Sequence, residues 1–374
     1  MKKRLLSIMT AITILTASMN TVGSTNAATV SATTVKDIAG HWAESSITSM
    51  ISKGYVSGYP DGTFKPNATI TRAEFLKMVV NAMELKVDTS TTGKWYVPYV
   101  NAAVAAGIHN TKDFNANYDR PITRQEIAQI AVRATTKELR TGKETSTQLM
   151  YEATKQGLIS GLSNGELGID QNSTRAQAVV ITQRVLTVEN GGTLQADKRA
   201  ASYAEVAWHH TNIETMWGGK MKALPLSMQF SWTVNGTFEE ILIIDLSDKN
   251  SPYRSWVPDL IKVNTKDWSN DYLIAMKVTM QNTKTAAKGT TAYFYDLLGN
   301  TAFKRAIIQD KTSPISTRTP LQLDKLDKVT TWHLLTISKE DLEHKKTVNS
   351  TFWYFDTNMG YSIKLSEDGT LFSN

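Results

Sequence analysis

The same helix-start pattern occurs three times in the first half of this chain, at a nearly constant spacing. The three copies are Thr71-Arg72-Ala73-Glu74, Thr123-Arg124-Gln125-Glu126 and Thr174-Arg175-Ala176-Gln177. The second threonine follows the first by 52 residues, and the third follows the second by 51. A constant period of this length is typical of a repeated supersecondary unit. We therefore expect three copies of one module.

Each copy has the residues of a helix-capping box. In this motif a threonine and a Glu or Gln three residues later each satisfy a backbone N–H at the helix start. The predicted pairs are Thr71 with Glu74, Thr123 with Glu126, and Thr174 with Gln177. A glycine ends an earlier apolar-periodic segment in each copy, at Gly54, Gly107 and Gly157. Each unit therefore predicts a helix, a loop and a second helix.

An arginine follows each capping threonine, although the capping box does not require it. A cation in the first turn faces the positive end of the helix dipole, which is unfavourable. Arg72, Arg124 and Arg175 nevertheless recur at this place. Beside free N–H groups at a helix start, an arginine is a good receptor for a carboxylate or phosphate. A solvated arginine or an inter-repeat salt bridge is the alternative, and three copies favour the anion receptor.

The segments around these motifs resemble the S-layer homology (SLH) domain of bacterial cell-surface proteins. In the first copy the resemblance rests on Lys36–Ala43, on the Gly-Tyr-Pro-Asp-Gly-Thr-Phe loop at 58–64, and on Ile70–Phe75. The second copy has Trp95 where the first has Trp42, and the third has Thr145 there. The three repeats are assigned to residues 35–85, 92–140 and 145–188.

This resemblance implies an all-α, pseudo-trimeric helical bundle with grooves between the repeats. Such grooves bind secondary cell-wall polysaccharide, usually through pyruvylated sugars. The implied polysaccharide contacts are Arg72, Arg124, Arg175, Asp37, Trp42, Trp95 and Lys77. Arginine offers a planar fork to the pyruvate carboxylate, and an indole face offers a platform for a sugar ring.

Several of these assignments have structural alternatives. An aromatic residue that begins a helix, such as Trp42, is as readily a core anchor as a ligand contact. Lys77 has Gln129 and Val180 at the corresponding positions, so its role is not shared between repeats. The third copy lacks the tryptophan and the acidic residue, which leaves open whether it has a complete site.

The amino terminus has the features of a secretory signal peptide over residues 1–27. Lys2, Lys3 and Arg4 precede an apolar stretch, which is followed by a polar region ending in small residues. We expect no transmembrane segment and no sorting signal at the carboxyl end, so attachment would be non-covalent. The chain has no cysteine, which excludes thiol catalysis and is consistent with export. The expected location is the cell wall or S-layer of a bacterium, with a Gram-positive organism favoured.

The charge balance excludes one class of partner. The formal net charge is +6, and removal of the three cations of the signal peptide leaves +3. A nucleic-acid-binding surface would have clustered Lys and Arg, whereas this chain is mildly basic with mixed charges. We therefore expect no nucleic-acid partner.

A different pattern follows residue 188. Residues 189–200 have the composition of a linker, and residues 201–374 predict one helix over Tyr203–Trp217 followed by strands. The strands are predicted at Met228–Val234, Phe238–Leu246, Tyr272–Met280, Thr291–Leu298, Thr301–Ile308, Thr331–Ile337 and Phe352–Phe355. Asn235-Gly236 and Gly299-Asn300 are the candidate hairpin turns. We expect a mainly antiparallel β domain, sandwich-like or α+β, of unrecognised family.

One cluster in this region could carry chemistry. Glu205 with His209, and His210 with Glu214, are each four residues apart on the predicted helix. A metal site needs three or four converging ligands, and the His-Glu-x-x-His arrangement is absent. Salt-bridged surface residues are the preferred interpretation. We therefore predict no catalytic residue, no metal and no cofactor.

The sequence leaves three hypotheses for function. The preferred one is a secreted protein that the SLH module anchors to an anionic wall polysaccharide, and that displays its β-rich domain to S-layer or other surface proteins. The first alternative is a wall-anchored enzyme that acts on glycans or extracellular polymers through residues 201–374. The second is that the repeats mediate only protein–protein contact, which would leave the three arginines without an anionic ligand.

Overall fold

A helical region precedes a region of antiparallel β structure, so the chain is a multidomain protein. The computed structural model describes residues 35–262, 268–294, 303–316, 319–347, 354–357 and 359–365. The predicted signal peptide and the predicted Gly299-Asn300 turn lie outside these residues. So does the start of the predicted strand Phe352–Phe355.

The helical region consists of three helix pairs. These are α1 (Glu44–Ser52) with α2 (Arg72–Ala82), α3 (Val97–Ala105) with α4 (Arg124–Thr135), and α5 (Ser146–Lys155) with α6 (Arg175–Glu189). The second helix of each pair begins directly after its threonine, and all three capping boxes are formed in both directions. Thr145 caps α5 by accepting the N–H of Gln148, so in this copy a capping residue replaces the tryptophan.

Backbone hydrogen bonds join the residues that precede the three capping threonines in a closed ring. The N–H of Ile122 donates to the carbonyl of Ile70 at 2.9 Å, and the N–H of Ser173 donates to Ile122 at 2.9 Å. The N–H of Ile70 donates to Ser173 at 3.1 Å, which closes the ring. Each repeat therefore contacts both of the others.

One continuous apolar core underlies the three repeats. Fully buried side chains come from each of them, including Phe64, Phe75, Ile127, Ile130, Tyr151 and Val179. Burying one such side chain contributes about 1.5–3 kcal/mol, so the shared core is the main source of stability for the module. Ala204, from the helix that follows the repeats, belongs to the same core.

The chain after the repeats begins with two helices where one was predicted. They are α7 (Lys198–His209) and α8 (Ile213–Trp217). His210 separates them with a left-handed φ of 57°, a conformation that ends a helix. Helix α7 starts inside the segment predicted as a linker.

The strands of the β region are β1 (Leu226–Ser231), β2 (Val234–Asp245), β3 (Leu260–Lys262), β4 (Asp271–Asn282), β5 (Thr291–Ala292), β6 (Lys304–Ile308), β7 (Leu321–Gln322), β8 (Lys328–Ser338), β9 (Tyr354–Asp356) and β10 (Ser362–Lys364), with helix α9 (Lys339–Thr347) after β8. Among the described residues they form one six-stranded antiparallel sheet, in the order β1-β2-β4-β8-β6-β3, and two two-stranded pairs, β5 with β7 and β9 with β10. A single main sheet with helices packed against it corresponds to the α+β alternative.

The faces of the long central strand match the predicted alternation. Ile274, Met276, Val278 and Met280 lie in one apolar cluster. Leu273 and Ala275 lie in a second cluster, on the opposite face. The sheet is therefore covered by apolar side chains on both sides.

The first predicted hairpin turn is wrong. The turn between β1 and β2 is at Trp232-Thr233, and Gly236 lies inside β2 opposite Met228. A Cβ atom at Gly236 would lie 2.1 Å from the ring of Phe230. Glycine is required at this position because the Phe230 ring packs closely against it. It is not required by the geometry of a turn.

The described parts of the second predicted hairpin, residues 291–294 and 303–308, do not pair with each other. Strand β5 pairs with β7, whereas β6 pairs with β3 and β8. Within residues 291–294, the described part of the first predicted strand, Thr291 and Ala292 pair in a ladder. The two segments therefore belong to different sheets.

Candidate binding grooves between the repeats

The three recurrent arginines are buried and cross the boundaries between repeats. Their exposed fractions are 6% for Arg72, 6% for Arg124 and 8% for Arg175. Each guanidinium donates to groups of another repeat: Arg72 to the second, Arg124 to the third and Arg175 to the first. A solvated arginine is thereby excluded, and all three arginines hold repeats together.

The N–H groups at the helix starts are not free to receive an anion. The N–H of Arg72 donates to the carbonyl of Arg120, and that of Ala73 donates to Tyr118. The first two N–H groups of α4 and α6 are used in the same way by loops of the third and first repeats. The expectation of an arginine beside free N–H groups is therefore wrong, because the neighbouring repeat occupies them.

Equivalent positions against α2, α4 and α6 define three grooves, which we number 1, 2 and 3. Each combines the second helix of one repeat, an arginine from the preceding repeat and the residue at the tryptophan position of the following repeat. The arginine and tryptophan of one repeat consequently lie in different grooves. Arg72 therefore lies in groove 2 and Trp42 in groove 3.

Groove 1 has a volume of about 540 Å³. Arg175 lies 3.8 Å from the Glu74 carboxylate and 4.8 Å from the centre of the Tyr59 ring. Across the groove, the Lys77 Nζ is 5.7 Å from the centre of the Trp95 ring, and this indole is 52% exposed. Groove 1 therefore has two cations, one carboxylate and an accessible aromatic face.

Groove 3 is smaller, about 220 Å³, and contains two arginines. The Arg124 Nη2 donates to the carbonyl of Ser160 at 2.7 Å, and the Arg184 Nη1 donates to the hydroxyl of the same residue at 3.1 Å. Gln177 occupies the position that Glu74 has in groove 1, and Trp42, 66% exposed, completes the lining.

The two arginines of groove 3 have no carboxylate partner among the described residues. Burial, together with the charge of Arg184, lowers the pKa of Arg124 from its ordinary value. Burial also lowers the pKa of Arg184. Since a guanidinium stays protonated at neutral pH, groove 3 holds two uncompensated positive charges.

In groove 2 the arginines are paired with carboxylates. Both carboxylate oxygens of Glu126 accept hydrogen bonds from Arg72, one of them at 3.1 Å from Nε. The Nη1 of Arg133 lies 2.6 Å from the carboxylate of Asp113. Burial raises the pKa of Asp113, but hydrogen bonds from His109 and Arg133 outweigh it and leave that pKa below its ordinary value. With Thr145 at the tryptophan position, groove 2 is neutralised and lacks an aromatic platform.

Asp37 supports groove 1 from outside. Its two carboxylate oxygens accept the N–H groups of Phe64 and Lys65, each at 2.7 Å. Partial burial raises the pKa of Asp37, and these backbone hydrogen bonds outweigh it, so the pKa lies below its ordinary value. The carbonyl of Phe64 in turn accepts from Arg175 at 2.9 Å. Asp37 thus orders the loop that holds Arg175.

Sequence reasoning missed Arg184 as a groove residue. It lies on α6 at the position of Asn81 on α2 and of Arg133 on α4, so its repeat position was readable. The sequence did not show that Arg184 lacks a carboxylate partner in the described part of the chain. The equivalent Arg133 is neutralised by Asp113, and this contact is created only by the fold.

The acidic and histidine cluster after the repeats is not a set of surface salt bridges. Glu205 is fully buried, and its carboxylate accepts the N–H groups of Glu214 at 3.0 Å and Thr215 at 2.8 Å. Burial raises its pKa to about 8. Glu214 accepts a hydrogen bond from the hydroxyl of Tyr151, in the third repeat. The described residues contain no group of three or more His, Cys, Asp or Glu placed to hold a metal ion.

Comparison with known families agrees with the repeat pattern. Residues 36–76, which include the first capping box, match the family model of the S-layer homology domain. This chain contains an S-layer homology domain. The domain implies a location at the cell surface and attachment to the cell wall. Within the described residues, no helix has both the length and the apolar character needed to cross a bilayer.

Similar proteins carry names of enzymes, anchors and S-layer proteins. An amylopullulanase of Thermoanaerobacterium thermosulfurigenes is 31% identical over 41% of this chain and 9% of its own length. A cellulosome-anchoring protein of Acetivibrio thermocellus is 48% identical over 14% of this chain and 12% of its own. An S-layer protein of Bacillus thuringiensis subsp. finitimus is 30% identical over 26% of this chain and 13% of its own length. The chain thus spans less than a sixth of each of these relatives.

Proposed function

We propose that the three repeats form a pseudo-trimeric SLH module that anchors a secreted protein to the cell wall by binding an anionic secondary cell-wall polysaccharide. Pyruvylated sugars are the proposed ligand units. The observation that carries this proposal is the pair of uncompensated arginines in groove 3, Arg124 and Arg184, beside the exposed face of Trp42.

The two positive charges of groove 3 carry an electrostatic cost. Bringing two cations together in a partly buried site without a counter-charge is unfavourable, and a bound anion would reverse that cost. A pyruvate acetal offers a planar carboxylate, which accepts hydrogen bonds from a guanidinium in the fork geometry. The apolar face of the attached sugar would then lie against the Trp42 indole. Groove 3 therefore offers contacts for both parts of such a ligand, the carboxylate and the sugar ring.

Groove 1 is the second proposed site. Arg175, Lys77 and the exposed Trp95 provide the same types of contact in a wider space, although Glu74 offsets part of the charge. Groove 2 is proposed not to bind, because Glu126 already occupies its arginine and the aromatic platform is missing. We therefore propose two working sites per chain.

The wider setting follows from the same module. Non-covalent anchoring would place the chain in the wall or S-layer of a bacterium, with a Gram-positive organism favoured, and would display residues 201–374 to S-layer or other surface proteins. A wall-anchored glycan or polymer hydrolase is the alternative, and it has support only in the names of some relatives. A polysaccharide-independent protein contact is an outcome of the test below.

The three recurrent arginines are poor probes of binding, since each also joins two repeats. The exposed tryptophans are better. We would pull down the purified chain with cell walls before and after removal of the non-peptidoglycan polymer, comparing the native chain with a Trp42→Ala/Trp95→Ala variant. Trp232→Ala is the matched control, because this tryptophan is 75% exposed in the β1–β2 turn and is not among the lining residues of groove 1 or groove 3.

The proposal expects binding to disappear when the polymer is removed and when both groove tryptophans are replaced, and to persist in the control variant. Binding that depends on neither change would overturn the polysaccharide assignment and favour protein contact.

A further inference from the structure

Residues beyond the third repeat lie against the loop that forms one wall of groove 3. A Cβ atom on Gly165 would lie 2.6 Å from the Cβ of Arg199, and one on Gly157 would lie 2.9 Å from the carbonyl of Gln195. Loop 157–165 is thus closely covered by the segment that leads into α7. At Gly54, the equivalent of Gly157 in groove 1, an added Cβ would meet no atom within 4 Å.

Asp197 makes the central polar contact of this cover. One carboxylate oxygen, Oδ1, accepts the N–H groups of Arg199 and Ala200, and so caps α7. The other, Oδ2, accepts the N–H of Gly161 at 2.9 Å. The aspartate therefore joins the start of α7 to the groove loop.

The Gly161 N–H belongs to the same peptide group as the carbonyl of Ser160. That carbonyl accepts the Arg124 Nη2 at 2.7 Å. One peptide plane is thus held between the carboxylate of Asp197 on one edge and the guanidinium of Arg124 on the other. Hydrogen bonds in such a chain polarise and strengthen one another in a low dielectric.

Groove 1 has the first half of this arrangement only. The carbonyl of Ser57 accepts the Arg175 Nη2 at 3.2 Å, as Ser160 accepts Arg124. Among the described residues, no carboxylate accepts the N–H of Gly58, the equivalent of Gly161. The contact through Asp197 thus distinguishes groove 3 from groove 1.

We propose that Asp197 is a positioning residue of groove 3, and that ligand binding in this groove depends on a residue outside the three repeats. The inference rests on the proposed polysaccharide binding. Its consequence is that the binding module extends into α7, which leads directly into α8 and the sheet. Occupation of groove 3 would then be coupled to the way the carboxyl-terminal region is held.

The test uses the full secreted chain and the polysaccharide released from purified cell walls, with affinity measured by calorimetry. Asp197→Ser keeps the helix cap, because serine caps as well as aspartate, but it removes the oxygen that reaches Gly161. It is compared in two backgrounds: Trp95→Ala, which leaves groove 3 as the binding site, and Trp42→Ala, which leaves groove 1.

We expect Asp197→Ser to weaken binding about tenfold in the Trp95→Ala background and by less than about twofold in the Trp42→Ala background. Asp197→Asn, which keeps the size and the cap but can present an amide N–H to Gly161, should behave like serine. A thermal melt of each variant monitors folding.

An equal loss in both backgrounds would overturn the inference, since it would mean that Asp197 acts only on overall stability. No loss in either background would also overturn it. These results differ from failure of the proposed function, in which neither tryptophan substitution would weaken binding and the inference would fall with it.

Discussion

Grooves 2 and 3 lie at equivalent positions and each contains a buried arginine, but the arginines of groove 2 are neutralised by carboxylates and, within the described residues, those of groove 3 are not. In groove 2, Glu126 caps α4 and also binds Arg72 through both oxygens. In groove 3, Gln177 caps α6 equally well but brings no charge to Arg124. A capping box forms with either Glu or Gln, so the difference does not affect the start of the helix. It does determine the charge of the groove. One uncharged side chain leaves an arginine available to an external anion.

The largest expected effect is on stability, in groove 2. Arg72→Ala would leave the Glu126 carboxylate, only 12% exposed, without its cation. Breaking a buried ion pair on one side costs about 3–5 kcal/mol. Urea unfolding should therefore show a large loss for Arg72→Ala. Arg72→Met combined with Glu126→Gln should recover much of it, since glutamine retains the cap. Arg124→Ala, which strands no carboxylate, should cost clearly less; equal losses would contradict the comparison.

The second prediction concerns a substitution that gives groove 3 the carboxylate found in groove 2. Gln177→Glu keeps the capping box and places a carboxylate beside Arg124, so it should lower polysaccharide affinity by about tenfold or more while leaving thermal stability unchanged or higher. Calorimetry in the Trp95→Ala background isolates groove 3. If the native chain and the Gln177→Glu variant bound the polysaccharide with equal affinity, the charge of Arg124 would be irrelevant to ligand binding.

The third prediction concerns Glu205, a buried carboxylate without a cation among the described residues. Its folded pKa of about 8 exceeds the ordinary 4.5, so the folded state binds more protons than the unfolded state between these values. Stability should therefore be highest at the acidic end of this window and fall as pH rises towards 8.

Glu205→Gln should flatten that fall, giving a melting temperature that changes less between about pH 5 and pH 8.5 than in the native chain. A variant with an unchanged pH slope would mean that Glu205 is not the group responsible. Glu240→Gln is a useful comparison, because burial raises the pKa of that carboxyl as well.

The smallest expected effect is at Lys77 in groove 1. Lys77→Gln removes one partly exposed cation beside Trp95 and should weaken binding by about two- to threefold at low salt, with the difference shrinking as salt is added. The residue is compared in the Trp42→Ala background. A salt-independent loss would assign Lys77 a direct hydrogen bond to the ligand instead of a screened charge.

The parts of the fold that could be predicted are those set by local residues. The three capping boxes specify where α2, α4 and α6 begin, because each box is completed within four residues. The strand around Ile274 was readable from its alternation. Gly236 misled the prediction because Asn-Gly favours a turn, whereas the packing of Phe230 against the glycine placed it inside a strand.

For the binding grooves, the sequence predicted the residue types but not how they are combined. Trp42, Trp95 and the arginines were identified as residue types suited to an anionic sugar, but each groove draws residues from three repeats that lie about 50 residues or more apart. Which arginine meets which tryptophan, and which carboxylate neutralises it, follows from the closed ring of repeats. No local pattern contains that information.

The most direct test of this account is the number of ligands bound per chain. Calorimetric titration of the full chain with a short pyruvylated fragment of wall polysaccharide should give two high-affinity sites. Gln177→Glu and Trp95→Ala should each reduce them to one, and the two substitutions combined should leave no high-affinity site. A stoichiometry that neither substitution changes, or high-affinity binding that persists in the double variant, would contradict the claim that the unpaired charge of groove 3 makes it a receptor.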